Sequence, residues 1–138
     1  MANATQMEKA RRFREIHRSG HILVLPNAWD AASARVFEDA GFGAVGTTSA
    51  GVAWALGHPD GEVASRDDSI DAIRRIVRAV RVPVTADVER GFGTTAAELT
   101  ETARAVIDAG AVGVNIEDGR NVTAGTLTPA GTTRRCAR

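Results

Sequence analysis

Short, unbroken apolar runs alternate along the chain with longer segments in which apolar residues recur every three or four positions. Runs of the first kind are typical of parallel strands buried on both faces, and they occupy residues 21–26, 42–48, 82–87 and 111–118. The periodic segments predict amphipathic helices between the runs, with one more helix over 6–18 before the first run. This order predicts an α/β fold of parallel βα repeats joined by right-handed crossovers.

Residues that favour helix ends support this division. Ser65 is placed to cap the helix before the third run, and Thr95 with Glu98 forms a capping box for the next helix. Gly110 follows the last periodic residue of that helix and is expected to end it. The glycine-rich segment 49–62 is predicted to be a long loop.

Two architectures fit the pattern of elements. One is a doubly wound open sheet, and the other is part of a (β/α)8 TIM barrel with about four strands plus the N-terminal helix. In both, the reacting groups lie at the carboxyl ends of the strands. Carboxylates follow two of these ends, Asp87 and Glu89 after the third run and Glu117 and Asp118 at the end of the fourth.

Carboxylates gathered at neighbouring strand ends repel one another unless a cation neutralises them. Mg²⁺ prefers oxygen ligands, and as a Lewis acid it would stabilise a developing enolate on a 2-oxo or dicarboxylic acid. Gly91 and Gly93 would let the backbone approach such a ligand closely. The spacing fits equally well with Asp87 and Glu89 as solvated turn residues and Glu117 as a loop acid.

Two further segments carry candidate chemistry. The sequence GTTSAG, residues 46–51, has small residues whose N–H and hydroxyl groups suit an anion, although a polar turn has the same composition. Asp60, in GHPDGE, is a candidate general acid/base or a residue that orders the loop.

Composition and charge exclude several classes of partner. Lys plus Arg and Asp plus Glu both number 17 in 138 residues, a balance that gives no reason to expect nucleic acid or an anionic membrane as partner. No apolar run approaches the roughly 20 residues of a membrane span, and the N-terminus has no apolar signal core. The single cysteine, Cys136, excludes an internal disulfide framework and fits a reducing compartment. We therefore expect a cytoplasmic protein.

The last residues differ in character from the rest. Residues 121–138 are rich in Thr and Arg and lack apolar periodicity, so the chain divides into a βα-repeat part at 1–120 and an atypical tail. A shifted reading frame is one hypothesis for the tail, and the gene sequence with its flanks would test it.

Three segments together resemble the isocitrate lyase/phosphoenolpyruvate mutase superfamily. They are LPNAWDAASARVFEDAGFGAVGTTSAGVAWALGHPDGE, VPVTADVERGFG and AGAVGVNIEDG, in that order, and the resemblance covers about residues 10–120. The most specific element is an aspartate, one residue, an acid and then Gly-aromatic-Gly, here Asp87 to Gly93.

The resemblance implies a (β/α)8 barrel that binds Mg²⁺ and cleaves or forms C–C or P–C bonds of small 2-oxo or dicarboxylic acids through an enolate-type intermediate. It implies that Asp87 binds the metal directly, and that Glu89 and Glu117 hold it directly or through waters.

The same resemblance assigns the remaining candidate residues. Thr48, Ser49 and Ala50 would line the pocket for the substrate's carboxylate or phosphoryl group. Asp60 would be the catalytic loop aspartate near the reacting group.

Two departures from the family pattern bear on activity. The lyases carry a Lys-Lys/Arg-Cys-Gly-His gating loop after the fourth strand, and EDGRNVTAGTLTP has neither that lysine nor that cysteine, which argues against an isocitrate or methylisocitrate lyase. A full barrel needs about 200–250 residues, so the chain supplies only the N-terminal half and impaired activity is expected.

Two alternatives to an enzyme stay open at this stage. One is a non-catalytic truncated product or a half barrel that forms homo-oligomers through its exposed edges. The other is a metal-independent, flavodoxin-like binding module, which would be a stable monomer indifferent to Mg²⁺.

Overall fold

A computed structural model describes residues 4–117, so Asp118, Cys136 and the tail at 121–138 lie outside the described residues. Five helices and four strands occur within that range. In chain order they are α1 (Ala4–His17), β1 (Asn27–Ala28), α2 (Ala31–Asp39), β2 (Val45–Thr47), α3 (Ser49–Ala55), α4 (Arg66–Ala79), β3 (Val84–Asp87), α5 (Ala96–Ala109) and β4 (Gly113–Asn115).

The order of the strands decides between the two architectures. All neighbouring strands are parallel, and the sheet runs β1-β2-β3-β4. A flavodoxin-like sheet has the order 2-1-3-4-5, which places its first strand inside the sheet. Helix α4 contacts α2 on one side and α5 on the other. Sequential parallel strands with neighbouring crossover helices confirm the prediction of a partial (β/α)8 barrel.

The core lies between the strands and these helices. One cluster joins Val45 of β2 and Val84 of β3 to Ile76 of α4. A second cluster joins Ala86 of β3 to Val106 of α5. Val45 and Val84 are paired in register, so one face of the sheet is apolar. Because side chains alternate along a strand, the residues next to Val45 and Val84 along each strand point to the opposite face.

That opposite face, the inner face of the partial barrel, carries small and polar residues. Asn27 pairs with Gly46, Gly46 with Thr85, and Thr85 with Gly113. A Cβ on Gly113 would lie 2.8 Å from Thr85 Oγ1 and 3.0 Å from a ring carbon of Phe13 in α1. Glycine at this position therefore lets β4 pack closely against both β3 and α1.

Helix α1 lies across the amino-terminal ends of the strands. The Gln6 amide donates to the carbonyls of Ile107 and Ala111 at 2.8 and 2.9 Å, and the Lys9 ammonium donates to the Val80 carbonyl at 3.2 Å. The carboxyl ends of the strands, where the candidate acids lie, are at the opposite end of the sheet. None of the helices in this part of the chain has the length and apolar character that a membrane span requires.

The strand predicted over residues 21–26 is wrong. The first strand comprises only Asn27 and Ala28, while Ile22 and Val24 are 94% and 60% exposed. Within residues 4–117, β1 pairs only with β2, and the Pro26 carbonyl accepts a bond from the Gly46 N–H at 2.9 Å. Among the described residues, the apolar run thus forms no ladder ahead of Pro26, and no layer covers the side chains of Ile22 and Val24.

The loop predicted over 49–62 is also wrong in its first half. Thr48 caps α3 by accepting a bond from the Gly51 N–H at 3.3 Å, and Val52 and Ala53 bury one side of the helix. The other three strands occur where the apolar runs predict them but are shorter. The predicted caps at Ser65 and Thr95 are confirmed, as is the stop at Gly110.

Candidate functional site

Asp87 joins the carboxyl ends of β2 and β3. Its Oδ2 accepts hydrogen bonds from the Ser49 N–H at 3.0 Å and the Ser49 hydroxyl at 2.9 Å. Its own N–H donates to Thr47 Oγ1 at 2.8 Å. The parallel register brings these strand ends together, and the helix start at Ser49 supplies an N–H group that no carbonyl of its own helix can satisfy. The structure therefore brings the predicted metal ligand Asp87 and the predicted substrate residue Ser49 into contact.

The turn after β3 has an unusual backbone. Glu89 and Phe92 have φ values of +50° and +54°, and Gly91 lies between them at +89°. The Glu89 N–H donates to Asp87 Oδ1 at 3.2 Å, and the Gly91 N–H donates to the Val88 carbonyl at 2.8 Å. Non-glycine residues with positive φ cost energy and persist only where their surroundings hold them. We refer to residues 89–92 as the acidic turn.

The glycines of the motif serve packing against α5. A Cβ on Gly91 would lie 2.6 Å from Leu99 Cδ2, and one on Gly93 would lie 2.4 Å from the Cβ of Glu98. The Thr102 hydroxyl, which is buried, donates to the Gly91 carbonyl at 2.7 Å. The close approach expected for these glycines is therefore to a helix of the fold.

Glu62, from the loop before α4, holds the acidic turn by three contacts. Its Oε1 accepts from the N–H groups of Arg90 at 3.1 Å and Phe92 at 2.8 Å, and its Oε2 pairs with the Arg90 guanidinium at 2.6 Å. The sequence did not predict this role. The contacts join residues 28 and 30 positions apart, and no local pattern around Glu62 specifies them.

The end of β4 brings Glu117 to the same place. Its N–H donates to the Glu89 carbonyl at 2.6 Å, and the Val88 N–H donates to the Asn115 carbonyl at 3.2 Å. Asn115 pairs with Asp87 in register, so its side chain shares the inner face with that carboxylate. Asn115 was not singled out from the sequence, and an amide at the residue paired with an acid is the signal that points to it.

Burial and neighbouring acids raise the pKa values of Glu89 and Glu117. Burial is the main cause of the raised pKa of Glu89, followed by the negative charge of Asp60, and Glu62 and Asp87 add to it. Burial also raises the pKa of Glu117, with Asp87 and Asp60 next, while the charge of Arg90 acts in the opposite direction. The side chains of Glu89 and Glu117 thus lie in a region of excess negative charge.

The donor set has the chemistry of a hard-cation site. Asp87, Glu89 and Glu117 offer only oxygen atoms, and their repulsion is what a divalent cation relieves. As placed, no three acidic, histidine or cysteine side chains of residues 4–117 converge closely enough to hold a metal ion. The residues fit Mg²⁺ by their chemistry, and their assignment as its ligands stays a prediction.

The remaining predicted residues lie around this cluster. Thr48 and Ala50 flank Ser49 at the start of α3 and are half-buried, while Asp60 is exposed in the loop between α3 and α4. The roles of these residues in substrate binding and catalysis stay predictions.

The space behind Asp87 is too small for a substrate. A cavity of about 10 Å³ there is lined by polar and apolar side chains, among them Ser49, Ser69, Asp87 and Phe92. That volume is about the minimum for one water molecule.

Comparison with known proteins identifies the family. The family model of phosphoenolpyruvate phosphomutase matches residues 13–137. The chain belongs to this family. Its members among the curated relatives include lyases that act on small acids, such as the 2,3-dimethylmalate lyase of Eubacterium barkeri. The resemblance noted from the sequence is thereby confirmed.

Curated relatives are considerably longer than this chain. An uncharacterised protein of Mycobacterium tuberculosis is 40% identical over 106 residues, which are 77% of this chain and 40% of that protein. The 2-methylisocitrate lyase of Halalkalibacterium halodurans is 33% identical over 114 residues, 83% of this chain and 38% of the lyase. The chain therefore spans about two fifths of the length of these relatives.

Solved structures show the same relation. A crystal structure from Burkholderia cenocepacia J2315 has a TM-score of 0.81 at 42% identity, covering 87% of this chain and 42% of that one. Phosphonopyruvate hydrolase in complex with oxalate and Mg²⁺ has a TM-score of 0.77 at 26% identity, covering 82% of this chain and 40% of that one. Both comparisons place the four strands within a longer fold.

Proposed function

We propose that this chain carries the metal-binding half of a Mg²⁺-dependent lyase or phosphomutase site. The reaction would break or form a C–C or P–C bond of a small 2-oxo or dicarboxylic acid through an enolate-type intermediate. The contact between Ser49 and Asp87 carries the proposal, because it joins the predicted substrate loop to the predicted metal ligand at the carboxyl ends of the strands.

The hydrogen bonds of Asp87 support its role as a direct ligand. Oδ2 accepts both bonds from Ser49, whereas Oδ1 accepts only the Glu89 N–H among residues 4–117 and keeps a lone pair for a cation. Glu89 and Glu117 would complete the set, directly or through waters. A bound Mg²⁺ would supply Lewis-acid stabilisation of negative charge that develops on the substrate.

The groups around the cluster suit a small acid. The N–H and hydroxyl groups at Thr48, Ser49 and Ala50 would bind the substrate's carboxylate or phosphoryl group. Asp60, which raises the pKa of both Glu89 and Glu117, lies within electrostatic range of the cluster and would serve as the catalytic acid/base. Relatives named for 2-methylisocitrate and 2,3-dimethylmalate support this substrate class.

We expect the chain by itself to have impaired activity in the cytoplasm, the location that its composition favours. A parallel barrel of this type has eight strands, and the described residues supply four. Groups from the other strands would position the substrate and stabilise charge, and the loss of such groups typically costs orders of magnitude in rate.

Mg²⁺-dependent thermal unfolding tests the proposal. Millimolar Mg²⁺ should raise the melting temperature of the wild-type chain by mass action, and Asp87→Ala should abolish that rise. Asp39→Ala is the control, because Asp39 is an exposed acid at the opposite end of the sheet and should leave the rise unchanged. A wild-type melting temperature indifferent to saturating Mg²⁺ would contradict the metal site.

A second candidate is a non-catalytic half barrel that associates with copies of itself. The exposed apolar side chains at the two sheet edges favour it, namely Ile22 and Val24 before β1 and Val114 and Ile116 in and after β4. Parallel sheets are otherwise found covered on both faces, and unpaired edges invite pairing with another chain.

A further inference from the structure

We propose that Glu62 is a positioning residue that fixes the conformation of the acidic turn and thereby the placement of Glu89. The inference deepens the proposed function, because Glu89 matters to catalysis only if the carboxylates form the Mg²⁺ site. The conformational part of it stands on contacts within this chain alone.

The contacts of Glu62 cover the turn on both sides of Gly91. Its Oε1 accepts the N–H groups of Arg90 and Phe92, and its Oε2 pairs with the Arg90 guanidinium, so one side chain satisfies two backbone donors and one cation. The Glu62 side chain is only 13% exposed. Bonds to a charged group in such a setting are stronger than neutral ones.

The backbone strain of the described chain is concentrated in this contact. Within residues 4–117, the non-glycine residues with positive φ are Glu62, Glu89 and Phe92. Phe92 donates directly to Glu62, and Glu89 precedes Arg90, which does the same. Such conformations persist where surrounding interactions hold them, and the Glu62 carboxylate supplies those interactions.

The same contact ties the segment that carries Asp60 to the segment that carries Glu89. Glu62 lies two residues after the predicted catalytic residue Asp60, and the turn it holds carries the predicted metal ligand Glu89. The Glu117 N–H in turn bonds to the Glu89 carbonyl. Loss of the Glu62 contacts should therefore disturb the placement of the acids on all three segments.

Glu38 provides a matched control at the other end of the sheet. Its Oε1 accepts two backbone N–H groups, from Arg81 at 2.6 Å and Val82 at 3.0 Å, and its Oε2 pairs with Arg35 at 3.4 Å. Its side chain is 15% exposed, close to the value for Glu62. Glu38 is thus a carboxylate with nearly the same bonding, placed where no candidate site residue lies.

The experiment compares Glu62→Gln with Glu38→Gln by hydrogen exchange and Mg²⁺ titration calorimetry. Exchange at the amides of Arg90 and Phe92 should accelerate in Glu62→Gln and stay unchanged in Glu38→Gln. The Kd for Mg²⁺ should rise about 10–100-fold in Glu62→Gln, as for other residues that orient metal ligands. In Glu38→Gln it should stay within about twofold of the wild type, because that carboxylate touches no proposed ligand.

Arg90→Gln is a second variant in case Glu62→Gln does not fold. It removes the ion pair but keeps the backbone N–H, so we expect a smaller change in the same direction. Equal effects of the Glu62 and Glu38 variants on exchange in the turn would overturn the proposal. If the wild type binds no Mg²⁺, the proposed function fails, and turn-specific exchange in the Glu62 variant still decides the conformational claim.

Discussion

At the scale of single residues, Glu89 and Glu117 couple the candidate site to pH. Burial and neighbouring acids raise the pKa values of both above the ordinary 4.5. Above these raised values both groups are ionised in the folded and unfolded chain, and the burial of their charges among other acids lowers the free energy of unfolding. As the pH falls toward 4.5, the folded state takes up protons before the unfolded state does, so this free energy rises.

We therefore predict that Glu89→Gln makes stability less dependent on pH between 4.5 and neutrality. The Glu98 carboxylate has the opposite effect on stability, because the N–H groups of Thr95 and Thr94 lower its pKa. It stabilises the folded chain near neutral pH and loses that contribution at pH values below this window. Thermal unfolding of the wild type and of Glu89→Gln between pH 4.5 and neutrality gives the slope of stability against pH for each protein. Glu15→Gln, at an exposed acid, is the control. A wild-type stability that rises with pH throughout the window, with the same slope in Glu89→Gln, would contradict the prediction.

At the scale of elements, the joint between α5 and α4 depends on Gly110. This residue ends α5 at φ +98°, and a Cβ there would lie 2.9 Å from Val77 Cγ1 on α4. Gly57 also has a positive φ, +83°, but nothing lies within 4 Å of its Cβ position. Replacing Gly57 would therefore introduce backbone strain alone, whereas replacing Gly110 would introduce both strain and a steric clash.

Replacing each of these glycines by alanine should therefore have different costs. Gly57→Ala should lower the free energy of unfolding by about 1 kcal/mol from strain alone. Gly110→Ala adds a clash with Val77 to the same strain, and we expect it to lower the free energy of unfolding by about 2–3 kcal/mol. Urea denaturation of both variants and the wild type measures the difference, and equal losses would show that α4 yields to the added methyl group.

The elements also show what the sequence can predict. The caps at Ser65 and Thr95 and the stop at Gly110 were predictable because each depends on residues within one turn. The strand at 21–26 was mispredicted because apolar composition reports a capacity for burial, whereas a strand also needs a neighbouring strand with which to form a hydrogen-bond ladder. Helix α3 was missed because the glycines around it masked the cap at Thr48.

The same limit applies to the site. Asp87 and Glu89 were found because they follow a buried strand directly, and Glu117 because it ends the next one. The Glu62 contacts lie beyond any local rule, since they arise only when the loop before α4 folds over the turn after β3. Sequence patterns thus predicted the acids but not the residue that holds their turn.

At the scale of the whole molecule, the stagger of the strands indicates how a second copy would pair with the sheet. The line of paired residues runs through Asn27, Gly46, Thr85 and Gly113. It meets segment 21–28 near its end and segment 111–118 near its beginning. A fifth parallel strand that continued this stagger would place its amino-terminal residues beside β4. If a second copy supplied that strand, its residues 21–26 would lie beside Val114.

We therefore predict that the chain self-associates through these edges, with two four-strand sheets reaching the eight strands at which such barrels close. Val24→Lys and Val114→Lys should each shift the chain toward monomer in sedimentation velocity, because each buries a charge at the junction. Val63→Lys is the control, since Val63 is 54% exposed in the loop between α3 and α4 and belongs to neither edge strand. A wild-type chain that stays monomeric at high micromolar concentration would rule out the association. Polymers that grow with concentration would instead indicate open edge-to-edge pairing.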